Sequence, residues 1–185
     1  MKRQTRARKT NLGFTLLETV IALALMAIGV LGLAAMLANA LQFIQGTQAD
    51  FIAQQKAEEA VEAIYTAKYN GNIGWSGVAN YDPVNSPAGV FLVGPQPLLQ
   101  PGPDGLVGSA ADAGVAQPDY ILLPGPDGIM GTADDIQVSL GNYTRTIVIT
   151  GVAGVTNLRQ IAVTVNYTVG KFNRSYTVNS YISAF

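Results

Sequence analysis

The chain begins with a basic segment and continues into a long apolar one. Residues 1–13 carry five of the eleven lysines and arginines, and residues 20–38 are all apolar or glycine. At about 1.5 Å per residue, a helix over 20–38 reaches about 28 Å, close to the roughly 30 Å hydrocarbon layer of a membrane. The pattern predicts a membrane-spanning helix, and the basic head predicts that the amino terminus stays in the cytoplasm.

Helical patterning continues beyond the apolar run. Residues 39–68 contain no proline, and Asn70 and Gly71 then form a stop signal. Within this stretch an apolar stripe recurs at helical spacing, formed by Ala53, Ala57, Ala60, Val61 and Ile64. We therefore expect one long helix over 14–69, with its transmembrane part at about 14–40 and with the alanine stripe packed on a sheet.

The carboxyl-terminal part alternates apolar and polar residues, which is typical of half-buried strands. Residues 161–169 alternate most clearly, and 143–150 and 176–182 do so between turns that contain glycine or asparagine. The pattern predicts three antiparallel strands, with 136–140 as a candidate fourth. The expected fold class is α+β, in which the second half of a long amino-terminal helix packs on an antiparallel β-sheet domain at 120–185.

A region rich in glycine and proline, residues 70–119, connects the helix to the predicted sheet domain. All nine prolines of the chain fall between Pro83 and Pro126. An internal repeat begins in this region: PGPDGLVGSAAD at 101–112 and PGPDGIMGTADD at 124–135 align without gaps. Two copies are too few for a solenoid, so we interpret them as two loops of one kind.

The second copy of the repeat is a candidate calcium site. Four side chains with oxygen atoms lie around its glycines, namely Asp127, Thr132, Asp134 and Asp135. Calcium binds six to eight oxygen atoms, and the pattern resembles calcium-binding DG-rich loops, without the spacing of an EF-hand. In the first copy Ala111 replaces the residue equivalent to Asp134, so we expect calcium mainly at the second copy. The alternative is a pair of turns capped by aspartate side chains.

The amino-terminal segment resembles the signal of the type IV pilin superfamily, which includes the pseudopilins of type II secretion. The resemblance rests on GFTLLETVIALALMAIGVLGLAA at residues 13–35, preceded by the basic head. It implies that residues 1–13 are a leader peptide, that a prepilin peptidase cuts after Gly13, and that the new amino terminus, Phe14, is methylated. It also implies roles in assembly for Thr15 and for Glu18, the fifth residue of the mature chain.

Glu18 is unusual for a simple membrane anchor. A charge inside the membrane costs about 2.5–3.5 kcal/mol on insertion scales. An anchor gains nothing from that cost, whereas the amino group of a neighbouring subunit's Phe14 can neutralise the carboxylate within a bundle of helices. The resemblance implies the same pairing, which fixes the register between subunits.

Together these features predict a structural subunit of a type IV pilus or pseudopilus that assembles into a helical filament through its amino-terminal helix. The expected partners are other pilin subunits, the prepilin peptidase, an inner-membrane assembly platform and, before assembly, membrane lipid. We expect storage in the inner membrane with the carboxyl-terminal domain periplasmic or external, and then a place in an extracellular pilus or a periplasmic pseudopilus. The amino-terminal segment resembles that of minor pilins that prime assembly, and an abundant major subunit is the alternative.

Three other interpretations compete with a pilin. A secretory signal peptide cut near residues 38–40 is opposed by the length of the apolar run, by Glu18 and by the helical pattern that continues afterwards. A plain uncleaved anchor leaves Glu18 without a purpose. A membrane-anchored, calcium-dependent adhesin that does not polymerise is the competing binding module.

Composition argues against other functions. The chain has no histidine and no cysteine, which removes the commonest general base, thiol chemistry and any disulfide. We expect no catalytic residues and no enzymatic activity. Without the leader, six basic residues face twelve acidic ones, so the electrostatic basis for binding nucleic acid is missing.

Overall fold

The computed structural model describes residues 15–114 and 117–185. The predicted leader, with Gly13, and the predicted first mature residue, Phe14, lie outside the described residues. The chain divides into two compact units, with the boundary between Phe43 and Ile44. The longest element, α1 (Leu16–Tyr69), is one α-helix that runs through both units.

In the described part of the chain, the strands all lie in the second unit. They are β1 (Gln96–Pro97), β2 (Tyr120–Leu123), β3 (Ile136–Ser139), β4 (Thr144–Val152), β5 (Val155–Val169) and β6 (Phe172–Ser183). Four of them form an antiparallel sheet in the order β1-β4-β5-β6, while β2 and β3 form a separate two-stranded hairpin. The second half of α1 packs on the four-stranded sheet, which confirms the predicted α+β fold.

The alanine stripe of α1 forms the contact with the sheet. Ala53, Ala57 and Ala60 have no exposed surface, and Val163 and Val165 of β5 are equally buried. Because alanine side chains are short, the helix axis can lie close to the branched side chains of the sheet. The alternating apolar residues of β5 and the helically spaced alanines of α1 thus pack together in one apolar core.

The segment 136–140 was considered as a fourth strand of the main antiparallel sheet, but it pairs elsewhere. Residues Ile136–Ser139 pair with Tyr120–Leu123 and are not part of the four-stranded sheet. The two segments flank the second copy of the repeat, so they meet by closing a short local loop. The edge position beside β4 is taken instead by Gln96–Pro97. A proline is tolerated there because an edge strand has one side on which no backbone donor is needed.

A polar cluster joins α1 to the β5–β6 hairpin. The hydroxyl of Tyr167 donates to Asp50 Oδ1 at 2.6 Å, and Arg174 Nη1 lies 3.0 Å from both oxygens of the same carboxylate. The hydrogen bond from Tyr167, assisted by Arg174, lowers the pKa of Asp50. Burial, reinforced by the bond to Asp50, raises the pKa of Tyr167 to about 12.

Substitution of Tyr167 by phenylalanine tests this cluster. Tyr167→Phe should lower the free energy of unfolding at neutral pH by about 1–2 kcal/mol, because Asp50 loses a hydrogen bond. The raised pKa also has a consequence at alkaline pH. Neutral Tyr167 stabilises the fold fully below its ordinary pKa of 10.0, and that contribution is lost as the pH rises through about 12.

Denaturant titrations at a series of alkaline pH values measure this effect. Between the two pKa values the parent chain should lose more stability than Tyr167→Phe does. Tyr181→Phe is the matched control, because the Tyr181 side chain is 55% exposed. Parallel pH profiles for the parent and Tyr167→Phe would show that the ionisation of this hydroxyl is not linked to folding.

Candidate functional site

Thr15 is the amino-terminal cap of α1. Its Oγ1 atom accepts the backbone N–H of Glu18 at 3.3 Å, and its carbonyl accepts the N–H of Thr19 at 3.1 Å. Thr-x-x-Glu is the sequence of a capping box, and a carboxylate in the first turn also favours the helix dipole. The resemblance to pilins does not indicate that Thr15 caps the helix, but the spacing of Thr15 and Glu18 predicts it.

The first unit presents an apolar helix surface. Every described side chain from Thr15 to Phe43 is exposed, including Leu16 and Leu31. This part of α1 has the length and composition needed to cross a membrane. Glu18 is also exposed, and its carboxylate has no ion-pair partner within the described part of the chain.

The first copy of the repeat is a closed loop. Asp104 Oδ1 accepts the N–H of Leu106 at 3.1 Å, which caps the turn. Both oxygens of Asp112 are also occupied, since Oδ1 accepts the N–H of Gly102 at 3.1 Å and Oδ2 accepts that of Gly108. Asp112 is buried, and burial raises its pKa despite these two bonds.

The second copy keeps part of this bonding pattern. Asp127 Oδ1 accepts the N–H of Ile129 at 2.8 Å, and Asp135 Oδ2 accepts that of Gly131 at 2.7 Å. These contacts are the equivalents of the Asp104 and Asp112 contacts in the first copy. Asp135 Oδ1, however, is inaccessible to solvent and has no hydrogen-bond partner among the described residues. Such an oxygen lacks the donor that its burial demands.

Two other predicted calcium ligands, Thr132 and Asp134, lie close to Asp135 in sequence. Their side chains are already bonded to each other within the loop. Thr132 Oγ1 donates to Asp134 Oδ1 at 2.7 Å, and this bond is the main reason that the pKa of Asp134 is lowered. Over residues 15–114 and 117–185, no three Asp, Glu, His or Cys side chains converge as a ready-made metal site. Calcium binding by Asp127, Thr132, Asp134 and Asp135 therefore stays a prediction, and the unbonded Asp135 oxygen is the feature that fits it.

The two copies differ most in the burial of their apolar pairs. In the first copy Leu106 and Val107 are 1% and 2% exposed and belong to the core. In the second copy the equivalent residues, Ile129 and Met130, are 59% and 54% exposed. No residue of the loop 124–135 is buried. Sequence alone gives no sign of this difference, because both pairs are apolar.

Comparison with known proteins identifies the amino-terminal segment. Residues 8–34 match the family model described as the prokaryotic N-terminal methylation motif. The segment is a prepilin-type signal. This prepilin signal confirms the resemblance inferred from residues 13–35, and the arrangement of α1 on an antiparallel sheet fits the pilin fold. The chain as a whole has no significant match among curated proteins or among solved structures.

The prepilin signal supports a general role for the chain. It supports a pilin-like or pseudopilin-like subunit that is processed at its amino terminus, and it suggests a structural role. It implies processing by a peptidase and assembly with other pilins. Together with the apolar part of α1 it fits anchoring in a membrane before assembly.

Proposed function

We propose that this chain is a subunit of a type IV pilus or pseudopilus that is cut after Gly13, methylated at Phe14 and assembled through α1 into a helical filament. Until assembly it is held in the inner membrane, with its amino terminus in the cytoplasm and its sheet domain on the other side. An assembly platform in the same membrane then transfers it to the filament. Because its amino-terminal segment resembles that of minor pilins, we propose that it is a minor subunit that primes assembly.

The methylation motif at 8–34 is the observation that carries this proposal. Two features of the first unit support it. The exposed apolar surface of α1 requires either lipid or other apolar helices around it, and a filament core supplies the helices. The carboxylate of Glu18 needs a cationic partner in such a core. After the cut, the amino terminus of a neighbouring subunit's Phe14 supplies one.

The first test is the mass of the mature amino terminus. Mass spectrometry of the chain recovered from membranes and from sheared filaments should find a mature form that begins at Phe14 and carries a methyl group. A matched variant, Gly13→Leu, should accumulate with its leader attached, because the peptidase no longer finds a small residue before the cut. Mature chains that begin at Met1 or near residue 41 would contradict the proposal.

The distribution of the processed chain separates the remaining alternatives. Methylated chain that is found only in the membrane, and never in sheared filaments, would favour the calcium-dependent adhesin. For chain that does enter filaments, its abundance relative to the other subunits distinguishes a minor from a major pilin. We expect a few copies per filament, as suits a priming role.

We also propose calcium as a ligand of the second copy of the repeat, held by Asp127, Thr132, Asp134 and Asp135. The support is the donor set, which consists only of oxygen atoms, and the buried Asp135 Oδ1 that lacks a partner among the described residues. In the first copy the equivalent oxygen is bonded to Gly102, so that copy has no open acceptor of this kind. Calcium would hold the exposed loop in one conformation.

A further inference from the structure

We propose that Lys56 of α1 and Asp119 join in an intramolecular isopeptide bond, which forms with the help of Glu59. The bond links Lys56 Nζ to Asp119 Cγ and releases one water molecule. It connects the helix to the end of the glycine- and proline-rich region, residues 70–119, in a chain that has no cysteine for a disulfide. The inference goes beyond the proposed function, because the bond forms within one chain whether or not that chain enters a filament.

The three side chains are already in contact. Lys56 Nζ lies 2.6 Å from Asp119 Oδ2 and 2.7 Å from Glu59 Oε2. Because Glu59 follows Lys56 by three residues, both side chains leave the same face of the helix. The side chains of Lys56 and Asp119 are only 13% and 11% exposed. An amine, the carboxyl group that it would attack and a second carboxylate thus meet at a site from which most water is excluded.

Backbone hydrogen bonds hold Asp119 in place for this reaction. Its N–H donates to the carbonyl of Leu98 at 2.9 Å, and its carbonyl accepts the N–H of Leu140 at 2.8 Å. Both leucines are buried in the core. The side chain is oriented as well, because Oδ1 accepts the N–H of Tyr120 at 2.8 Å and Oδ2 is left for Lys56. Groups that are held in this way react without the entropy loss of a reaction between free molecules.

The reaction begins from an ion pair. Burial lowers the pKa of Lys56, but the hydrogen bonds to Asp119 and Glu59 outweigh burial and raise the pKa overall, so the amine starts as ammonium. Transfer of one proton along the 2.6 Å contact gives a neutral amine and a neutral carboxylic acid. Because burial disfavours both charges, that transfer costs less here than it would in water.

The neutral amine then attacks the carboxyl carbon. The lone pair of Lys56 Nζ forms a bond to Asp119 Cγ, and the N–H of Tyr120 stabilises the negative charge that develops on Oδ1. Glu59 removes a proton from Nζ and passes it to Oδ2, and the Cγ–Oδ2 bond breaks as water leaves. Of the three ammonium protons, one stays on the amide and two leave in the water. Glu59 returns to its carboxylate form, so no oxidant or cofactor is consumed.

The product contains fewer buried charges than the ion pair. Lys56 and Asp119 both become neutral, which removes the desolvation cost of a buried ion pair. Glu59 keeps its charge beside a second buried cation, Arg145, which is 3% exposed. Burial lowers the pKa of Arg145, and the negative charge of Glu59 is the main influence that opposes this shift. A cation and a carboxylate therefore remain together after the bond has formed.

Intact mass spectrometry of the folded full chain, purified in detergent, tests the bond directly. The parent should be lighter than its processed sequence by one water molecule, and Lys56→Arg, which keeps the positive charge, should have the full linear mass. Trypsin should leave Lys56 uncut, in a branched peptide that also contains Asp119. A folded parent with the full linear mass would overturn the proposal. So would a loss of water at another place, such as succinimide formation at Asp104 or Asp127.

A second measurement tests the role of Glu59. The side chain of Glu59→Gln can still accept a hydrogen bond from Lys56 but cannot take up its proton. In chains sampled at intervals after synthesis, this variant should lose water at least about 100-fold more slowly than the parent, as expected when a general base is removed. Glu58→Gln is the matched control and should react like the parent, because Glu58 is exposed and bonds to Gln54. Equal rates for the two variants would contradict the proposed proton transfer through Glu59.

Discussion

Glu18→Ala is expected to insert into the membrane and to be processed normally, yet to enter filaments about 100-fold less than the parent chain. Removal of one partner from a buried ion pair costs roughly 3–5 kcal/mol, because the other charge is left without compensation. Here the uncompensated charge is the amino terminus of the neighbouring Phe14. The measurement is the ratio of filament-associated to membrane-associated chain, in cells that make no wild-type copy.

Glu18→Gln separates two proposed roles of this side chain, one in a capping box and one as a charge in the filament core. Glutamine serves as well as glutamate in a capping box with Thr15, but it carries no charge. If Glu18 acts through its charge, Glu18→Gln should assemble as poorly as Glu18→Ala. Assembly of Glu18→Gln at the parent level would mean that Glu18 supports the helix start only. Thr15→Ser is the matched control for the cap and should assemble normally.

Calcium is expected to raise the melting temperature of the full chain in detergent. At free calcium 100 times the dissociation constant, binding to the folded loop alone adds about 2.7 kcal/mol. For a chain of this size, that gain corresponds to roughly 5–10 °C. The gain arises because the ion satisfies Asp135 Oδ1 and orders a loop in which no residue is buried.

The repeat supplies a matched pair of variants for this test. Asp127 and Asp104 cap the same turn in the two copies. Asp127→Asn and Asp135→Asn should therefore abolish the response to calcium, while Asp104→Asn should keep it. A parent chain that melts at the same temperature in calcium and in chelator would reduce the second copy to a pair of capped turns. A response lost only in Asp104→Asn would place the ion in the first copy.

The sequence predicts those helices and strands whose apolar residues recur at a regular spacing, because that spacing alone shows which face is buried. The stripe from Ala53 to Ile64 and the alternation in β5 each specify one apolar face, so helix, strands and their contact follow. The prepilin signal is equally local, because it lies within residues 8–34. Two of the strands were not predictable in this way. Gln96–Pro97 is too short for any period, and Tyr120–Leu123 is apolar at nearly every position.

Contacts between distant residues explain what the sequence does not show. Asp50 reads as an ordinary polar residue on a helix, and only the fold brings it to Tyr167, 117 residues away, and to Arg174, 124 residues away. The same limit applies to the repeat. Its two copies are similar along their whole length, but Leu106 is buried and Ile129 is exposed because the chain places one copy over the core and the other beyond it.

The polar cluster at Asp50 also has a mechanical consequence. A pull on α1 within the second unit would load this cluster early, because Asp50 lies close to the start of that unit. There the Arg174 guanidinium lies against buried Gly46 and binds Asp50, one turn further along. Arg174 and Tyr167 belong to paired strands, so the load spreads over the β5–β6 ladder. Within the second unit, α1 and the sheet would therefore move together under such a load.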